Sequence, residues 1–527
     1  MLRPSARALP LALALLAGCE PTGPSGVPAD RTLTVALAVD PISLDPADVT
    51  DAEAVYVTEQ IFEHLVRYKP GTTEIEPALA TSWDESEDGT AWTFHLRPGV
   101  RFHDGVPLDA DAVVFSLERQ RDPAHPQRCK TCPYWESIFR NIQRVEKVDA
   151  MTVRLVIDRP HAPFLANLAM AAVSIVRPSA GSRPGAGAFA TQPVGTGPFR
   201  FVRWIQRDRL VLEANESYWD GAPRIRHLVF RIVPDARARL VGLESGAIDV
   251  AQNLDPSDLR FVPLHPDLRT YRAAGVNVAY LAMNTRRPPW NDVHVRRAVN
   301  HAINREAIVK LIYQGFAKLA NGPLPPSMWG YRAGRGYDYD PARARALLGE
   351  ARPSFAKTPR LLVMDSPRPY LPSPERVARI VARNLADVGV PVEIAVLPWE
   401  EYRRRIGIGD HDLCLYGWIG DNGDPDNFLY VLLDRDNAAP PALNVAFYDN
   451  AELHGLLVWG RETSERAERE RLYQRAQEII EEEAPWVPLA HAEVTVAARK
   501  EVRGIVVDPD ATSDYARVFK TSDEAKP

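Results

Sequence analysis

The residues most suggestive of chemistry are Cys129-Lys130-Thr131-Cys132, with His125 four positions upstream. Structural zinc takes four ligands, and neither a second paired cysteine motif nor a His pair accompanies this one. A local disulfide is the plainer reading in an oxidising compartment, with free thiols and a metal or redox role as its alternatives. Cys414 sits in an apolar run and reads as a small buried hydrophobe. No GxSxG elbow, HExxH pair or GxxxxGK[ST] phosphate loop occurs. Gly195-Thr196-Gly197 is followed by Pro198, with no helix opening behind it, which weakens a dinucleotide reading. Glu481 to Glu483 reads as a solvated helix face. Two charges stand out in loops: Asp421, in an Asp/Asn/Gly-rich segment after an apolar strand, and Arg368, in a Pro-rich one. Turn chemistry alone accounts for the first composition, and a surface arginine for the second. Trp399 and Trp418 read as core aromatics.

Strand-like and helix-like patterns alternate around these positions. Leu33, Val35, Leu37 and Val39 alternate like a half-buried strand. Strands are also predicted over 92–96, 153–157, 228–233, 276–283, 392–397 and 413–418. Asp109 is placed to cap a helix carrying Val113, Val114 and Leu117, and a helix from Asp235 to Leu243 ends near Gly246. Further helices are predicted near 292–303, 305–313, 341–350, 375–388 and 464–482, with Gly315 and Gly389 at C-terminal glycine positions. The alternation argues for α/β layers and more than one sheet.

The chain has 527 residues, 45% hydrophobic, which is globular rather than disordered composition. Its 63 Lys plus Arg against 69 Asp plus Glu leave a net charge of −6, with no basic footprint for nucleic acid. Arg3 and Arg7 precede an Ala/Leu run, Ala8 to Leu16, too short to span a bilayer but suited to a signal peptide. Leu16-Ala17-Gly18-Cys19 resembles the lipobox of bacterial lipoproteins, which implies lipidation of Cys19; an ordinary signal peptide containing a cysteine is the alternative. Glu20 to Asp30, rich in Pro, Gly and Ser, reads as a tether.

An ordered series of segments is more specific. Pro41-Ile42-Ser43-Leu44-Asp45-Pro46 is followed by Glu76-Pro77-Ala78-Leu79-Ala80-Thr81-Ser82-Trp83, then Asp88-Gly89-Thr90 and Phe102-His103-Asp104-Gly105. Val194 to Phe199, Asn215 to Trp219 and Val295 to Val299 continue it, with Pro325 to Tyr331, Arg368-Pro369-Tyr370 and Gly417 to Asn427 beyond. From about residue 32 to 510 this resembles the family-5 extracellular solute-binding proteins of peptide ABC importers, most of all the dipeptide-binding type. The Cys129 to Cys132 stretch and the C-terminal tail depart from that type.

The resemblance implies an α/β, two-lobed periplasmic-binding-protein fold of type II, the class with an extra inserted domain, with mixed sheets and a hinge between lobes. It implies a signal peptide over 1–18 and a lipid-anchored linker over 19–30. Domain I is implied in three parts (31–62, 195–275 and 500–527), with domain II over 63–194 and domain III over 276–499. It further implies a short peptide ligand, dipeptides favoured, and no enzyme activity, metal or cofactor. Asp421 would take the peptide ammonium and Arg368 its carboxylate, with Trp418 and Trp399 along side-chain pockets. Backbone groups around Gly417 and Ser43 to Asp45 would pair with the peptide main chain. The expected partners are an ABC permease and a separate ATPase, for a monomer lipid-anchored in the periplasm or cell envelope. Relatives with similar loops bring haem, glutathione and cationic antimicrobial peptides as alternative ligands. A secreted hydrolase, or a chemoreceptor or chaperone adaptor, is the more distant alternative.

Overall fold

The structure, a computed structural model, describes residues 31–178, 188–355, 357–510 and 514–521. The signal-peptide segment, the tether and Cys19 lie outside the described residues.

Local signals place many of the elements. Asp109 caps the helix Ala110–Arg121 by accepting from the Ala112 N–H, and Asp235 caps Ala236–Ser245 by accepting from Ala238. Gly246, with φ at 78°, stops the latter helix, as the left-handed residue after a helix does. Proline opens Pro341–Ala351 and Pro374–Asp387, where a missing N–H costs nothing. The helix expected over 305–313 divides into an α turn, Arg305–Ile308, and a wider π turn, Val309–Tyr313. The first strand ends at Leu37, leaving Val39 57% exposed. Its two-faced burial comes from parallel pairing with both His227–Ile232 and Val250–Gln252.

Two mixed sheets share one long strand, Trp486–Arg499. Its first part pairs with Asn277–Met283, which continues through Leu413–Ile419 and Arg360–Met364 to Glu393–Leu397. From Glu493 onward it pairs with Leu268–Ala274 and, further along, Val250–Gln252, reaching Thr32–Leu37 and the strands His227–Ile232, Arg209–Ala214 and Phe199–Ile205. The sheets thus meet at two adjacent crossings, 274–277 and 490–493. Asn277 clasps them: its side-chain amide donates to the Ala492 carbonyl and accepts from the Ala492 N–H, both at 2.8 Å. Gly275 is required there, because a Cβ would lie 2.6 Å from the Ala492 oxygen. Mixed sheets joined in this way are consistent with a two-lobed type II fold.

A separate four-stranded antiparallel sheet, Ala80–Glu85, Ala91–Leu96, Thr152–Ile157 and Ile142–Asp149, carries its own core around Phe94, Leu155 and Phe139. The largest core surrounds Asn277–Met283, which is buried at every position, and the Val377, Val381 and Leu385 face of Pro374–Asp387. Glu481 and Glu483 are not simply solvated: Arg332 and Arg296 bind them, leaving Glu482 exposed. Among the described residues no helix is long and apolar enough to cross a membrane.

Candidate ligand-binding site

The strand Leu413–Ile419 builds the site. It pairs with Asn277–Met283 along its whole length, but with Arg360–Met364 only at Leu413 and Cys414. Its other edge beyond Leu415 therefore lacks a ladder partner among the described strands. Gly417 lies on that stretch, and a Cβ there would come within 2.2 Å of the Tyr370 ring. Tyr370 belongs to the Arg368 loop, closed by reciprocal backbone hydrogen bonds between Arg368 and Leu371 at 3.1 and 2.9 Å. The close approach at Gly417 thus brings the Arg368 loop against the strand that leads to Asp421.

At the Arg368 end, the guanidinium lies over the Trp399 ring, 3.5 Å from its centroid, a cation–π arrangement. Trp399 in turn packs 6.3 Å from Tyr416. The Arg368 Nε is buried and has no hydrogen-bond partner. Burial pulls the guanidinium below its ordinary pKa, and Glu53, on the helix Ala52–Thr58, is one of the negative groups that oppose this.

At the other end Asp421 is half-buried. Its carboxylate accepts from the Tyr134 hydroxyl at 3.2 Å and from Asn427 Nδ2 at 3.3 Å. Burial lifts its pKa to about 6, against these two hydrogen bonds. Asn427 organises the turn: its Oδ1 accepts from both the Asp421 N–H and the Trp418 indole N–H, at 2.9 and 2.8 Å, which orients Trp418. Two other aspartates of the same loop are matched by cations. Asp424 is bidentate with Arg469 at 2.7 and 2.8 Å, and Asp426 lies 3.1 Å from Arg461.

Residues distant in the chain meet around this turn. Asn422 donates to Asn167 at 2.6 Å, the Gly423 N–H donates to the Tyr68 hydroxyl at 3.0 Å, and Tyr134 reaches Asp421. Tyr134 follows the Cys129–Cys132 segment, in which the two cysteines are disulfide-bonded and buried. Asp48 holds that segment, accepting from the N–H groups of Lys130, Thr131 and Cys132. Burial works to raise the Asp48 carboxyl, but these hydrogen bonds prevail and keep it below its ordinary value. In the Ser43 to Asp45 segment, the Leu44 N–H donates to the Ala190 carbonyl, and Asp45 is fully buried in a bidentate pair with Arg119. The residues that sequence reasoning missed are Tyr134, Asn427, Glu53 and Tyr68. Only Asn427 carried a signal, lying inside the Gly417 to Asn427 segment.

Comparisons with known proteins agree with this architecture. Residues 74–440 match the family described as bacterial extracellular solute-binding proteins, family 5. The chain is 38% identical to the dipeptide-binding protein of Escherichia coli, over 85% of this chain and 87% of that one. It is 37% identical to haem-binding protein A of Haemophilus influenzae, over 91% and 90%. Among solved structures it resembles the ABC transporter-associated periplasmic binding protein of Helicobacter pylori in complex with peptide STSA. That likeness has a TM-score of 0.80 and 35% identity, covering 93% of this chain and 98% of that one.

Proposed function

Because the chain belongs to the bacterial extracellular solute-binding proteins of family 5, we propose that it captures short peptides, dipeptides foremost, between its lobes and delivers them to a membrane permease. One observation carries the reading: within a single loop Asp424 and Asp426 have arginine partners, whereas Asp421 is met by neutral donors. A desolvated carboxylate with no cation beside it is a receptor for one, and the peptide ammonium supplies it. Arg368 offers the complementary cation, with an unsatisfied Nε and an in-plane fork of N–H donors suited to a carboxylate. Two extended residues span about 7 Å, so the two charges measure length as well as polarity. The free edge beside Gly417 gives the peptide main chain a strand to pair with, regardless of side chains. Trp418 and Trp399 border the side-chain space.

Closure is the signal. A ligand that touches both lobes favours the closed state, with the crossings at 274–277 and 490–493 as the place of movement. Micromolar binding supplies about 8 kcal/mol in total, enough to overcome a modest open preference. ATP hydrolysis then belongs to another subunit, and this chain catalyses nothing. The domain partition, the lipid anchor at Cys19, the monomeric state and the periplasmic location complete the proposal. The test is calorimetric titration of unfolded and refolded protein with a mixed-sequence dipeptide and the matching tetrapeptide. Dipeptide binding alone supports the two-ended site; tetrapeptide binding, or no response to either, rejects it. Haem is the second reading, on the strength of the haem-binding relative, and an absorbance titration with haem decides between them.

A further inference from the structure

Arginines divide along one helix as the aspartates do along one loop. On the helix Trp399–Gly407, Arg404 pairs with Glu401 at 2.8 Å and Arg405 with Asp410 at 2.7 Å. Arg403, beside them, is exposed and has no carboxylate partner among the described residues. Its guanidinium lies 5.8 Å from the centroid of the Trp399 ring, the same ring that carries Arg368 at 3.5 Å. A second cation therefore stands at the Arg368 end of the candidate site, where a single peptide carboxylate calls for one.

Contact between Arg403 and Trp399, four positions apart, is what a helix surface gives by itself. The hydroxyls beside the pair are a separate observation. Tyr370 and Tyr416 are 6% and 8% exposed, their rings lie 6.4 Å apart, and Tyr416 packs 6.3 Å from Trp399. The neighbouring buried tyrosines Tyr313 and Tyr402 place their hydroxyls on the Tyr370 and Leu415 carbonyls. Those of Tyr370 and Tyr416 have no hydrogen-bond partner among the described residues. A nearly buried hydroxyl left in this way costs free energy unless something meets it. Burial raises the pKa of both, and Arg368 and Arg403 oppose that rise in each case, so both cations act on both hydroxyls.

Two guanidiniums and two phenols thus converge without an anion of their own. The negative groups in reach are Glu53, which acts on Arg368, and Asp421, which acts on Tyr416. Neither forms an ion pair with Arg368 or Arg403 among the described residues, and burial moves Glu53 toward its neutral form. One terminal carboxylate, held bidentately, occupies one guanidinium. The donors that remain match a second anion attached close to the first. On a short peptide that anion is the side chain of the last residue, whose Cα also carries the terminal carboxylate.

From the two guanidiniums at Trp399 and the two unmet tyrosine hydroxyls beside them, we infer that Arg403 determines specificity and that the site prefers peptides ending in aspartate or glutamate. This preference rests on the peptide reading above and concerns the second charge at the Arg368 end.

The experiment is calorimetric titration of the purified, refolded protein at neutral pH with Ala-Glu, Ala-Gln, Glu-Ala and Gln-Ala. Ala-Glu should bind the parent about tenfold more tightly than Ala-Gln, while Glu-Ala should gain nothing over Gln-Ala. In Arg403→Gln the ratio of Ala-Glu to Ala-Gln affinity should fall to within about twofold, and Arg403→Lys should restore part of it. Arg404→Gln, next along the helix, should keep the full ratio, and circular dichroism checks all three folds. Ala-Gln binding with Ala-Glu no tighter, a preference that survives Arg403→Gln, an equal loss in Arg404→Gln, or an equal gain for Glu-Ala would overturn the inference and leave the peptide reading standing. If none of the four dipeptides binds, the peptide reading falls and this preference falls with it.

Discussion

Asp424 and Asp421 lie three residues apart in one loop, yet their surroundings differ in kind. Asp424 is buried and paired through both oxygens with Arg469, which also bonds Tyr473 and the Gly460 carbonyl. Asp421 is half-buried and receives only the neutral donors Tyr134 and Asn427 among its described hydrogen bonds. The first arrangement pairs the carboxylate with a cation of the protein itself; the second meets it with neutral donors alone. The same contrast separates Arg119, enclosed with Asp45, from Arg368, stacked on Trp399 with an empty Nε. Burial of a charge is therefore a poor guide to function on its own. The informative feature is a buried charge whose opposite is missing.

The largest effect should come from breaking a complete pair. Asp424→Ala leaves Arg469 buried without its anion and should cost about 3–5 kcal/mol of stability, read as a lower midpoint in urea denaturation. Asp421→Ala reverses the pattern. It should cost roughly 2–5 kcal/mol of dipeptide affinity by calorimetry, while the denaturation midpoint of the unliganded protein holds or rises. Equal loss of stability in both variants would erase the distinction.

pH probes Asp421 next. The folded pKa of Asp421 is raised from 3.8 to about 6, so the folded state holds more protons than the unfolded state between those values. Its contribution to unliganded stability accordingly falls as pH rises through that window. Ligand binding runs the other way, because the ammonium needs the ionised carboxylate. Dipeptide affinity should fall by up to about tenfold for each pH unit below 6. The smallest effect is expected from Tyr134→Phe, which removes one hydrogen bond to Asp421 and should change affinity by about 1–2 kcal/mol. Its thermal stability should stay close to that of the parent, as measured by scanning calorimetry.

Much of the fold was legible because its signals are local. Asp109, Asp235, Gly246 and Gly389 act within a turn of their own position. The strand Trp486–Arg499 was not, because burial on both faces removes the alternation and Pro488 argues against a central strand. Its division between two sheets depends on partners more than 150 residues away. At the candidate site, Asp421 and Arg368 were singled out through a motif rather than through composition, since a turn-rich loop contains three aspartates that look alike. Which of them lacks a cation depends on Arg469 and Arg461, on helices further along the chain. Tyr134 was beyond reach for the same reason: 287 positions separate it from the carboxylate it touches. The Ser43 to Asp45 segment shows the converse, a motif position that the fold commits to packing with Arg119.

The central claim is that the missing opposites of Asp421 and Arg368 are the two termini of a peptide. The direct measurement is calorimetric titration with a free dipeptide, its N-acetyl derivative and its C-terminal amide, against the parent protein and Asp421→Asn. Acetylation should weaken binding to the parent by about a hundredfold or more, and Asp421→Asn should lose most of this discrimination. Amidation should likewise weaken binding through Arg368. An N-acetyl dipeptide that binds the parent as tightly as the free one would contradict the account.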